Sequence, residues 1–182
     1  MAIDVTIGNP IRHIATIDSS TTFAVPPQAN RVYVNILGAS GGGGGRVPNY
    51  NSPGGAGGAG HVAAGWVQVS AGSNSLVIIG AGGGAGIASN SGPTSGNAGG
   101  TTTFDGAITI IGGNGGDPGS TSQNSPGGAG SAGSSSGVTS LTTLSPTGAV
   151  ARVSSFTSQA TGAQAGGASG TTGLPGKVHI YG

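Results

Sequence analysis

Cysteine is absent from the 182 residues, so neither a disulfide nor a thiolate centre is available. Glutamate is absent as well, lysine occurs once, and charged residues make up only 5% of the chain. A formal net charge of +1 leaves no basic footprint for nucleic acid. Aromatics are 4%, so any core must be thin and made of small and β-branched side chains. No apolar run approaches the ~20 residues of a membrane-spanning helix, and the first residues lack the basic-then-apolar order of a signal peptide. Amphipathic helical periodicity is missing too, as the scarcity of lysine and glutamate would lead one to expect.

What is present is glycine: 42 of 182 residues, about 23%. Such a composition borders on that of disordered chains. Two features argue for order. The charge is too low to hold the chain apart by self-repulsion, and the apolar residues are gathered in short runs with clean edges. Ordering so many glycines is entropically expensive, which calls for dense backbone hydrogen bonding or for oligomerisation.

The runs read as strands. Ile3, Val5 and Ile7 alternate with polar residues and are followed by the turn Gly8-Asn9-Pro10. Ile11 to Ile17 reads as a second strand, and Phe23-Ala-Val-Pro-Pro27 ends a third. Arg31 to Leu37, "RVYVNIL", places Val32, Val34 and Ile36 on one face and Tyr33, Asn35 and Leu37 on the other. Val62 to Val69, Leu76 to Ile79, Ile108 to Ile111, Ala149 to Phe156 and Lys177 to Tyr181 complete the set. Most runs stop at a burst of glycine. The expectation is an all-β, sandwich-like domain with polyglycine-II-like segments between short strands.

The bursts contain one word twice, "NSPGGAGGAG" from Asn51 to Gly60 and "NSPGGAGSAG" from Asn124 to Gly133. Its glycines recur every third residue: Gly54, Gly57, Gly60 in the first copy, and Gly127, Gly130, Gly133 in the second. Polyproline II has three residues per turn and no internal hydrogen bonds, so such helices can pack through their glycine faces and bond to one another. Flexible loops are the other reading. The collagen reading is poor, because the register breaks after two or three turns and proline is too scarce.

Catalytic constellations are thin. Asp4, Asp18, Asp105 and Asp117 show no pairing pattern, and Asp105 reads as a turn residue. His13, His61 and His179 fall in separate strands, where a metal would need three converging ligands. "GAGGGAG" after "LVII" mimics a dinucleotide loop but opens no helix, and no nucleophile elbow is present. Neither an enzyme nor a cofactor is expected.

Residues 22–182 resemble the glycine-rich domain of bacteriophage minor tail and tail-fibre-tip proteins. The resemblance rests on "TTFAVPPQANRVYVNILGASGGGGG", the element "GGTTTFDG" and the closing "GKVHIYG"; Leu37 stands where an aromatic is frequent. Residues 1–21 fall outside it and read as an N-terminal strand pair or docking segment. A looser similarity links the chain to the tip adhesins of T-even long tail fibres. These similarities imply a structural virion protein on the particle surface, at the tail rather than the head, assembled with other virion proteins as a homotrimer. By analogy, the tips would be "RVPNYN", "IASNS" and "DPGSTSQN", contacting a host glycan or protein through Arg46, Asn49, Tyr50, Asn51, Asn90 and Gln123. A capsid decoration protein is the alternative.

Overall fold

The computed structural model describes residues 12–122, 126–136 and 170–182. It contains β1 (His13–Ile17), β2 (Thr21–Ala24), β3 (Arg31–Leu37), β4 (Val62–Gln68), β5 (Asn74–Ile78), β6 (Thr102–Phe104), β7 (Ile108–Ile111), β8 (Ser134–Ser136) and β9 (Lys177–Tyr181). A single 3-10 turn at Pro48–Tyr50 is the one helical element among the described residues. The strands form two antiparallel sheets, ordered β1-β9-β3-β4 and β2-β5-β6-β7-β8. The expected strands at Ile3–Ile7 and Ala149–Phe156 lie outside the described residues. The fold is all-β as expected.

Alternation decides which side is buried. Val32, Val34 and Ile36 of β3, Val178 and Ile180 of β9, and Ile17 of β1 turn toward Phe23, Val77, Phe104, Ile108 and Ile110 of the second sheet. Two short strands, β6 and β8, escaped the sequence reading. Both are rich in serine or threonine and only three residues long, so neither offers an apolar alternation. A hairpin joins β6 to β7 through Asp105 and Gly106, both at positive φ, as a type I′ turn requires.

Beyond one end of the sandwich the chain changes its manner of bonding. The segment 38–45 continues β3 without a break, and its amide groups bond outward with a period of three. Gly41 and Gly44 donate to the carbonyls of Gly58 and Gly55; Gly42 and Gly45 donate to Asn97 and Thr94; Ser40 and Gly43 donate to Leu174 and Thr171, all at 2.8 to 3.0 Å. Its carbonyls receive as regularly. Ala39, Gly42 and Gly45 accept from Gly113, Gly116 and Gly119, while Ser40 and Gly43 accept from Gly83 and Gly86. Three residues per turn thus serve neighbours on every described side, which is how packed polyglycine II helices satisfy their backbone. The central segment is ringed by 53–61, 112–119, 94–100, 80–87 and 170–176, and 126–133 packs outside, against 53–61 and 112–119.

This lattice explains the glycine word. A Cβ at Gly54, Gly57 or Gly60 would collide with the carbonyls of Gly44, Gly41 or Gly38; at Gly55 or Gly58 it would collide with those of Gly128 or Ser131. Pro53, Ala56 and Ala59 occupy the third line, which is only half-buried and leaves room for a side chain. The second copy packs differently. Gly127, Gly130 and Gly133 face the carbonyls of Asp117, Asn114 and Ile111, but a Cβ at Gly128 would meet only the flexible carboxylate of Asp117. One line of 126–133 is therefore open to solvent. Ser131 sits on it, exposed, and this is why the two copies differ there and nowhere else. The run Gly41 to Gly45 belongs to the central segment, where no line is open.

Exchanging the two residues tests this assignment. Gly58→Ser is expected to destabilise the fold by about 1–3 kcal/mol through overpacking, and Gly57→Val by about 2–4 kcal/mol, whereas Ser131→Gly stays within about 0.5 kcal/mol. Chemical denaturation of the three variants measures it. Equal midpoints for Gly58→Ser and Ser131→Gly would contradict the lattice.

Candidate functional site: the loops at the tip of the glycine lattice

Direction within the lattice gathers the loops. Segments 80–87 and 112–119 run parallel to 38–45, as the constant offset of their bonds shows, and 53–61, 94–100 and 170–176 run antiparallel. Three hairpin-like arms result, each rising from the sandwich and returning to it. The reversals at 46–52 and 87–94, and the residues 119–122 that leave the third arm, therefore share the end farthest from the sheets. At about 3.1 Å per residue, the eight residues 38–45 carry them roughly 25 Å from the end of β3.

The loop 46–52 lies between the other two and is bonded to both. Val47 and Ser52 form a bridge, and both are fully buried. Pro48 supplies the fixed φ that suits the start of a helical turn, and Asn51 closes that turn in the left-handed region at φ 49. Asparagine is one of the few non-glycine residues that adopts this conformation readily. On one side the Asn49 amide donates to Asn90 Oδ1 at 2.9 Å, and the Ser89 amide donates to the Arg46 carbonyl at 3.0 Å. On the other, Ser52 Oγ donates to the Ser122 carbonyl at 2.7 Å. The loop 87–94 closes on itself, with the Ile87 amide donating to Thr94 Oγ1 and the Thr94 amide to the Ile87 carbonyl.

The tip candidates named from sequence are placed as follows. Asn49, Tyr50, Asn51 and Asn90 are exposed, and Arg46 is half-buried at the root of the loop. Gln123 lies outside the described residues. Ile87, which opens the expected tip segment "IASNS" but was not among its expected contact residues, is 66% exposed at the tip. Its signal was available: Ala81, Gly84 and Ile87 form one line of their segment, and a Cβ at Gly84 would meet only the side chain of Asn97. The contact between Ser52 and Ser122, the latter within the expected tip segment "DPGSTSQN", spans 70 residues and is invisible without the lattice.

Away from the tip, His13 and His179 come together on neighbouring strands, while His61 lies just before β4 and its carbonyl accepts from Gly38. Trp66 stands on the outer face of the first sheet, edge-on to Tyr33 at 5.5 Å and capped by the Arg31 guanidinium at 4.7 Å. Burial, helped by nearby Tyr181, pushes the Tyr33 hydroxyl above its ordinary pKa. Among the described residues no three side chains of histidine or carboxylate type converge to hold a metal ion.

The family model of the glycine-rich domain matches residues 16–182. The chain belongs to the glycine-rich domain family. A comparison with curated proteins gave no match. The match begins inside β1, at Thr16, and so takes in the last two residues of a strand that pairs with β9.

Proposed function

We propose that this glycine-rich domain is a non-enzymatic structural and attachment component of a bacteriophage particle, at the tail or fibre tip, and that the lattice end contacts the host surface. One observation carries the reading. Three loops from distant parts of the chain are brought to one end of a densely bonded scaffold, and loops held so are where binding residues concentrate.

The tip chemistry supports recognition of a neutral, hydrogen-bonding surface. Tyr50, Ile87 and the asparagines 49, 51 and 90 are exposed together, with Arg46 at their root. Tyrosine, serine and asparagine make up adaptable contact surfaces in other binding loops, with tyrosine and arginine over-represented among residues that dominate affinity.

Arg46→Ala and Tyr50→Ala, introduced into assembled particles, are expected to slow host adsorption without impairing assembly. Each change weakens a contact by about 1–3 kcal/mol, partly masked by avidity. Normal adsorption by the double variant, with the protein confirmed on the particle, would favour a decoration protein of the capsid instead. Trimeric assembly belongs to the same proposal. Light scattering is expected to give three times the chain mass, and a folded monomer at micromolar concentration would remove that part.

A further inference from the structure

His13 and His179 are 166 positions apart in sequence, yet one hydroxyl joins them. His13 Nε2 lies 2.9 Å from Thr16 Oγ1, and Thr16 Oγ1 lies 3.0 Å from His179 Nδ1. The ring centroids are 6.1 Å apart, and His13 also packs edge-on against Tyr181 at 5.3 Å. Strand pairing brings this about: Thr16 is opposite His179, and His13 is opposite Tyr181. Among the described residues β1 is an edge strand, bonded within its sheet to β9 alone, and its register already shifts between His13 and Ala15.

We propose that His13, Thr16 and His179 form an acid-sensitive clasp that fastens edge strand β1 to β9.

The donor count makes it sensitive to protons. A hydroxyl has one hydrogen to donate and can accept from others. With both rings neutral, or with one protonated, one ring donates to Oγ1 and the hydroxyl donates to the other. With both protonated, each ring nitrogen is a donor and the hydroxyl proton has no acceptor in the clasp. Two imidazolium ions also face each other across the pair. Among the described residues, β9 and β3 present no carboxylate beside the pair. Lys177 and Tyr181 share the outer face of β9 with His179, Tyr33 and Arg31 occupy β3, and Arg12 precedes β1; Asp18 follows Ile17 at the strand's far end.

Burial, then Lys177, then His13 hold the His179 imidazole below its ordinary pKa. A base with a lowered folded pKa binds fewer protons folded than unfolded, so stability falls as pH drops below the unfolded value of about 6.5. The clasp localises that loss to β1. Its release uncovers the β9 edge, whose backbone groups are then open to pairing.

Amide hydrogen exchange followed by NMR on the full chain tests the clasp. Protection of β1 amides, normalised to β3 amides, is expected to fall at least about tenfold between pH about 7 and pH about 5. His13→Gln, which cannot titrate, is expected to remove most of that fall and to raise the titration midpoint of His179. Thr16→Val keeps strand propensity but removes the hydroxyl, and is expected to leave β1 weakly protected at both pH values. Constant β1 protection in the wild type, an equal fall in His13→Gln, or full protection in Thr16→Val would each overturn the proposal.

Discussion

Close approach of backbone to backbone governs this molecule. In the lattice beyond the sandwich, a peptide carbonyl occupies the space where a neighbour's Cβ would be, at residue after residue. Such spacing admits only glycine at most positions that face another segment, with the small residues Ala39 and Ser40 tolerated at the root of the central one. The number of glycine lines in a segment then counts its packed sides. The central segment carries five glycines in succession, 53–61 carries two lines and a third of proline and alanine, and 112–119 carries Asn114 and Asp117 on its exposed line. What looks like low complexity is a record of packing.

Energetically the lattice replaces side-chain burial with backbone bonding. Each glycine ordered here gives up more conformational freedom than any other residue would. Those whose amides bond to a neighbouring segment, among them Gly41 to Gly45, Gly55 and Gly58, each gain a net contribution of about 0.5–1.5 kcal/mol. The sandwich makes this feasible. Its core of valine, isoleucine and phenylalanine fixes where each arm begins, as at Leu37 leading into Gly38 and Gly176 leading into Lys177. The register of β3 on β4 continues directly into the bond from Gly38 to the His61 carbonyl. A stiff scaffold follows, on which tip loops vary without affecting the packing.

Much of this was legible from residues alone, for definable reasons. β3, β7 and β9 were read with their full extents because their alternation of β-branched and other residues ends abruptly at glycine. The three-residue spacing of Gly54, Gly57 and Gly60 suggested packed helices, and the lattice gives that spacing its partners. Which segments neighbour one another could not be read, since a run of glycine carries no side chain to specify a partner. For the same reason Gly58 and Ser131 looked equivalent in sequence and are not in the fold. The His13–His179 pairing was hidden by the distance between the strands that carry it, and the serine-rich β8 by having no apolar face.

Hydrogen-bond scalar couplings between amide nitrogens and carbonyl carbons give the most direct test of the lattice. The account predicts cross-hydrogen-bond signals from Gly41 to Gly58 and from Gly44 to Gly55, with Gly42 coupled instead to Asn97 and Gly43 to Thr171. The partner must change with each successive residue and return every third. Absence of these couplings, together with rapid exchange of the Gly41 to Gly45 amides, would show the glycine segments to be loose loops and would contradict the account.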